Sequence, residues 1–132
     1  MLKTSSNIVH LGTFEKIHSF AAKYGVRTVA VQRKDYAGST RYTDQELDDL
    51  RNGRQVFLDQ LAVVIGHFLK YVIEGLRIPK VDQDGKGGIA LLGWSIGTST
   101  ALTIFNDLNV VLPELHDFLA PYLKNLILYG QF

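Results

Sequence analysis

The stretch 89–97 limits what this chain can fold into more than any other part of its sequence. Ile89-Ala90-Leu91-Leu92 is a short, unbroken apolar run, the pattern of a buried strand. It runs directly into Gly93-Trp94-Ser95-Ile96-Gly97, small residues around a serine. A helical pattern then begins at once, with Ile96, Ala101, Ile104, Phe105 and Leu108 facing inward. A strand that passes straight into a helix is the repeating unit of an alternating α/β chain.

The rest of the sequence keeps that alternation. Ile8-Val9-His10 reads as the remnant of a short strand, followed by Gly12. Phe14, Ile17, Ala21 and Tyr24 recur at helical spacing, with Thr13 as a candidate cap and Gly25 as a stop. Residues 26–32 hold Val26, Val29, Ala30 and Val31 without a helical period and read as a second buried strand. Residues 33–40 read as a loop. Thr43-Asp44-Gln45-Glu46 matches a capping box, in which the hydroxyl covers the third amide and the glutamate reaches back. From there Leu47, Leu50, Phe57, Leu61, Val64, Phe68, Val72 and Leu76 predict one long helix, bent at Gly53 or Gly66 and ended between Gly75 and Pro79. Pro113 opens a short helix through Leu119, and Leu126-Ile127-Leu128-Tyr129 is a last strand.

The predicted order is strand, helix, strand, helix, strand, helix, strand. The expected fold class is α/β, with a mostly parallel sheet of about four strands and helices on both faces. Sites in such sheets lie at the carboxyl ends of the strands. Here those ends are the loops 10–13, 33–40 and 93–97.

Composition excludes several function classes. The formal net charge is +1, so no charge excess points to nucleic acid. The chain has no cysteine, which rules out disulfides, thiolate metal sites and a cysteine nucleophile. The amino terminus lacks the apolar run of a signal peptide, and no uninterrupted apolar run approaches the ~18 residues of a membrane span. A cytoplasmic protein is the default expectation.

A serine hydroxyl is a poor nucleophile unless it is held in place and relieved of its proton. A sharp turn between strand and helix does the holding. Its strained backbone needs small neighbours, which Gly93 and Gly97 supply. The helix that follows directs free amides at the site, that of Ile96 first among them, where they favour a developing oxyanion. The plainer reading of the same residues is a glycine-rich turn with a capping serine.

Three segments in order resemble the α/β-hydrolase superfamily of esterases, lipases and epoxide hydrolases. His10-Leu11-Gly12 resembles the His-Gly turn after the third strand of that fold, with Leu11 here separating the two. Arg33-Lys34-Asp35-Tyr36-Ala37-Gly38-Ser39 resembles the turn after the fourth. Gly93-Trp94-Ser95-Ile96-Gly97 is similar to the nucleophile elbow after the fifth. The resemblance covers nearly the whole chain and implies a partial α/β-hydrolase fold. The domain expected over 1–132 is thus a truncated one, the amino-terminal half. It implies Ser95 as nucleophile, Ile96 as one oxyanion donor, and Leu11 or Gly12 as the other. Gly93, Trp94 and Gly97 shape the elbow. A serine rather than an aspartate at position 95 argues against the epoxide branch.

The acid and histidine of such a triad are not found in their family positions. After Ser95 the chain offers Asp107, Glu114, Asp117 and His116, all before the last strand. His116 and Asp117 are adjacent, and neighbours at i and i+1 on a helix do not face each other. His10 either shapes the oxyanion loop or fills a structural turn, while His18 and His67 read as surface or boundary residues of helices. No pair of histidines has metal spacing, and Asp82 and Asp84 read as a solvated turn, so no metal or other cofactor is expected.

The expected function is acyl-ester hydrolysis in an intact relative, on a small apolar or ester substrate, with this fragment weak or inactive. The alternative is a non-catalytic α/β module that binds a small apolar ligand or a protein partner. A short sheet with open edges is also expected to self-associate.

Overall fold

A computed structural model describes residues 15–36, 38–106 and 110–130. Among them are five helices and two strands: α1 (Glu15–Lys23), α2 (Asp44–Arg51), α3 (Gln55–Leu76), β1 (Ile89–Trp94), α4 (Gly97–Asn106), α5 (Pro113–Leu119) and β2 (Leu123–Tyr129). The chain divides into two compact units, Met1–Leu47 and Asp48–Phe132.

In the first unit, α1 stops where expected. The amide of Gly25 donates to the Ala22 carbonyl and that of Val26 to the Ala21 carbonyl, which closes the last turn. The expected strand over 26–32 does not form. These residues carry no strand pairing, and Val26 is 56% exposed. Their β-branched composition favours extended backbone, but a strand also needs a neighbour for its amides and carbonyls. The other expected strand of this part, Ile8 to His10, lies outside the described residues. His18 Nδ1 instead bonds the Thr28 hydroxyl. The loop that follows is closed by bonds from the Asp35 amide to the Thr40 carbonyl (2.9 Å) and from the Tyr42 amide to Asp35 Oδ1 (3.0 Å).

The capping box forms as read. The Glu46 amide donates to Thr43 Oγ1 at 3.2 Å, and the Thr43 amide donates to Glu46 Oε2 at 2.8 Å. Lys34 Nζ bonds the other oxygen of the same carboxylate at 2.6 Å. These bonds, from Lys34 first and then the Thr43 amide, hold the Glu46 carboxyl below its ordinary range.

The single long helix expected from Leu47 onward is two helices. Gly53, at φ 61, ends α2, with its amide on the Leu50 carbonyl and the Arg54 amide on the Asp49 carbonyl. The Arg54 guanidinium reaches back to Asp49 Oδ1 at 2.7 Å and Asp48 Oδ2 at 3.1 Å. Asp49 is buried, so this pairing accounts for a charge that the helical stripe did not reveal. α3 runs unbroken through Gly66. A Cβ there would come within 3.1 Å of Leu115 Cδ2, so its smallness lets α5 approach closely. The helix ends at Leu76, between Gly75 and Pro79 as expected, with Arg77 closing it in a left-handed conformation (φ 51).

The second unit is built around β1 and β2, which pair in parallel with Leu91 opposite Leu126, Leu92 opposite Ile127, Gly93 opposite Leu128 and Trp94 opposite Tyr129. The connection between them carries α4 and α5, as parallel strands require. Its core joins Ala62, Leu69 and Ile73 of α3 to Ile104 of α4, Val111, and Leu115 and Leu119 of α5. Ile89, Leu91 and Leu123 of the sheet pack against that cluster. The α/β class is thus present with two strands where about four were expected. Within the second unit, and among the described residues, Leu92, Ile127 and Tyr129 share the other face and are 37%, 47% and 69% exposed. By length and composition alone α3 is apolar enough to cross a membrane. The sequence expectation of no span counted only uninterrupted runs, which Gln60, His67 and Lys70 break up.

Candidate functional site

The junction between β1 and α4 has the geometry its residues call for. Ser95 lies between the two elements at φ 53, a left-handed conformation that a residue with a Cβ adopts at a cost of roughly 1–2 kcal/mol. Three hydrogen bonds hold it there. The Ser95 amide donates to the Tyr129 carbonyl at 3.1 Å, carrying the β1–β2 ladder one residue past the strand. The Ser95 carbonyl accepts from the Thr98 amide at 2.8 Å and from Thr98 Oγ1 at 2.7 Å. Strain held by its surroundings is a recurrent property of functional positions.

The two glycines of the motif differ. A Cβ at Gly93 would lie 2.6 Å from the Gly97 carbonyl oxygen and 2.8 Å from Thr98 Cα, both backbone atoms that cannot swing aside. Gly93 therefore lets α4 pack onto the end of β1. A Cβ at Gly97 meets nothing within 4 Å, so the expectation that both glycines avoid a clash holds for Gly93 alone. Trp94 lies against Gly130, just past β2.

With Ser95 as its pivot, α4 opens toward the junction. No backbone carbonyl among the described residues accepts from the amides of Ile96 or Gly97. First-turn amides lack intrahelical partners and carry the positive end of the helix dipole, so these two are free to meet an anion or a developing oxyanion. Sequence reasoning had singled out Ile96. The Gly97 amide joins it here. Leu11 and Gly12, the expected source of a second donor, lie outside the described residues, as does His10.

No hydrogen bond or ion pair joins the Ser95 hydroxyl to a histidine or carboxylate among the described residues. His116 sits on α5 with Nδ1 3.7 Å from Asp117 Oδ1, a long contact between neighbours in the chain. Glu114 is exposed, and Asp107 lies outside the described residues. His67 is exposed on α3, and His18 is engaged with Thr28. In the loop after the unformed strand, Lys34 pairs with Glu46 and Arg33 lies 5.9 Å from the centre of the Tyr36 ring. Asp82 accepts from the Lys86 amide within its own turn (2.7 Å). No group of three or more histidines and carboxylates among the described residues is placed to hold a metal.

Two features of the junction escaped the sequence reading. Thr98 bonds the Ser95 carbonyl twice, and the signal for it was local: a threonine three residues after the turn serine. Gly130 carries no such signal, because its partner Trp94 is brought to it only by the pairing of β1 with β2. Comparison of the chain with protein-family models, curated proteins and solved structures returned no match.

Proposed function

We propose that Ser95 is the nucleophile of a serine hydrolase of the α/β-hydrolase type, acting on small apolar esters. The observation that carries this reading is the left-handed Ser95 between β1 and α4, with the amides of Ile96 and Gly97 uncommitted beside it. In the proposed reaction Ser95 Oγ attacks the ester carbonyl carbon while its proton passes to a base. The carbonyl oxygen becomes an oxyanion that accepts from the Ile96 amide, and the alcohol then leaves to give an acyl-serine. Water releases the acid. The triad acid and histidine are unassigned, so the proposal concerns the nucleophile and its oxyanion donor. The finer fold assignment, a partial α/β-hydrolase sheet, rests on the same junction. A fluorophosphonate probe should label the full chain at Ser95, and Ser95→Ala should abolish labelling. Labelling should be slow, because no base among the described residues faces Ser95, and a wild-type chain left unlabelled after prolonged exposure sinks the reading.

A second reading is favoured by the lack of any described base at Ser95 and by the exposed apolar face of Leu92, Ile127 and Tyr129. In it the unit binds a small apolar ligand or a protein partner without chemistry. Binding would then survive Ser95→Ala, and a large loss on that change would count against it.

A further inference from the structure

We infer that Gly130 is a positioning residue for Ser95 and acts through Trp94. The chemical consequence rests on the serine-nucleophile reading, while the geometry stands without it. Two independent constraints meet at Gly130. Its φ is 82, a region that side-chain-bearing residues rarely adopt. A Cβ there would also lie 2.8 Å from Trp94 Cδ1 and 2.9 Å from Trp94 Nε1, so the indole fills the space a side chain would need.

The two residues flank the bond that holds Ser95. Trp94 precedes Ser95, and Tyr129 precedes Gly130; Trp94 and Tyr129 are paired across the sheet. The Tyr129 carbonyl, which accepts from the Ser95 amide, belongs to the peptide unit that joins Tyr129 to Gly130. The orientation of that unit is coupled to φ at Gly130. A side chain at 130 pushes on the residue before Ser95 and turns the acceptor of the Ser95 amide. Both displacements act on a residue whose left-handed conformation depends on its hydrogen bonds. The Cβ would be 3.7 Å from the Ser95 nitrogen, an ordinary contact, so the effect passes through Trp94 and the carbonyl rather than by direct collision.

The chain has one tryptophan, so its fluorescence reports on Trp94 alone. Gly130→Ala in the full chain should shift that emission and speed exchange of the Ser95 amide hydrogen about tenfold or more. Labelling of Ser95 by a fluorophosphonate should slow by about tenfold or more, since small misplacements of a reacting group carry costs of that order. Gly53→Ala is the control. It places a Cβ at a similar φ of 61 with nothing within 4 Å, and should leave all three readouts at the second unit unchanged. In Trp94→Ala with Gly130→Ala, the effects on exchange and labelling should be less than additive, because both changes act on one contact. Unchanged emission and unchanged Ser95 exchange in Gly130→Ala would overturn the inference. So would equal effects in the Gly53 control, or full additivity in the double variant. If the wild-type chain does not label, the hydrolase reading fails, and amide exchange alone still decides the positioning role.

Discussion

Residues 26–32 and β1 have nearly the same vocabulary and opposite fates. Val26, Val29, Ala30 and Val31 are apolar like Ile89, Ala90, Leu91 and Leu92, and more of them are β-branched. β1 pairs with β2, packs Leu91 against the core and passes into α4. Residues 26–32 carry no ladder, and none of them is buried. Composition therefore sets the backbone preference, and a partner strand decides whether it becomes a sheet. β1 has its partner because α4 and α5 return the chain beside it.

The largest test of this contrast is Gly93→Val. Its side chain meets backbone of α4, so the variant should lose about 3 kcal/mol or fail to fold its second unit, read by thermal denaturation. A near-neutral result would mean that α4 is not seated on β1 as described. Next comes a matched pair. Leu91→Ala should cost about 2 kcal/mol, whereas Val29→Ala should cost under about 0.5 kcal/mol. Equal costs would erase the difference, because Val29 would then have a core of its own.

A smaller effect than that of Leu91→Ala is expected of Glu46→Gln. This change weakens the capping box and removes the Lys34 pair, costing about 1 kcal/mol or less near neutral pH. Glu46 has a folded-state pKa below its unfolded one, so its contribution is complete above the ordinary glutamate value and fades as pH falls through the lowered one. Unfolding of the wild type and of Glu46→Gln, followed in parallel as pH is lowered, should converge over that window. A constant gap would show that the carboxylate's charge is not what the lysine and the cap amide read.

Features written in neighbouring residues are legible in the sequence. The Thr43–Glu46 box, the stop at Gly25, the Pro113 start of α5 and the strand–serine–helix junction each depend on residues within a turn of one another. The misreadings came where the answer lay elsewhere in the chain. Gly53 and Gly66 look alike in a helical stripe. One ends a helix by its backbone, and the other admits Leu115, which no local window contains. At the site, Ser95, Gly93 and Ile96 could be read directly, whereas Gly130 became visible only once the register opposed Trp94 to Tyr129.

The bond from the Ser95 amide to the Tyr129 carbonyl also ties the serine to a distant part of the chain. Parallel strands cannot close as a hairpin, so β2 reaches β1 only after the chain has run through both crossover helices. Ser95 cannot take its final anchor until β2 docks. The feature that looks most local in the sequence is thereby completed by a strand that the chain reaches only two helices later.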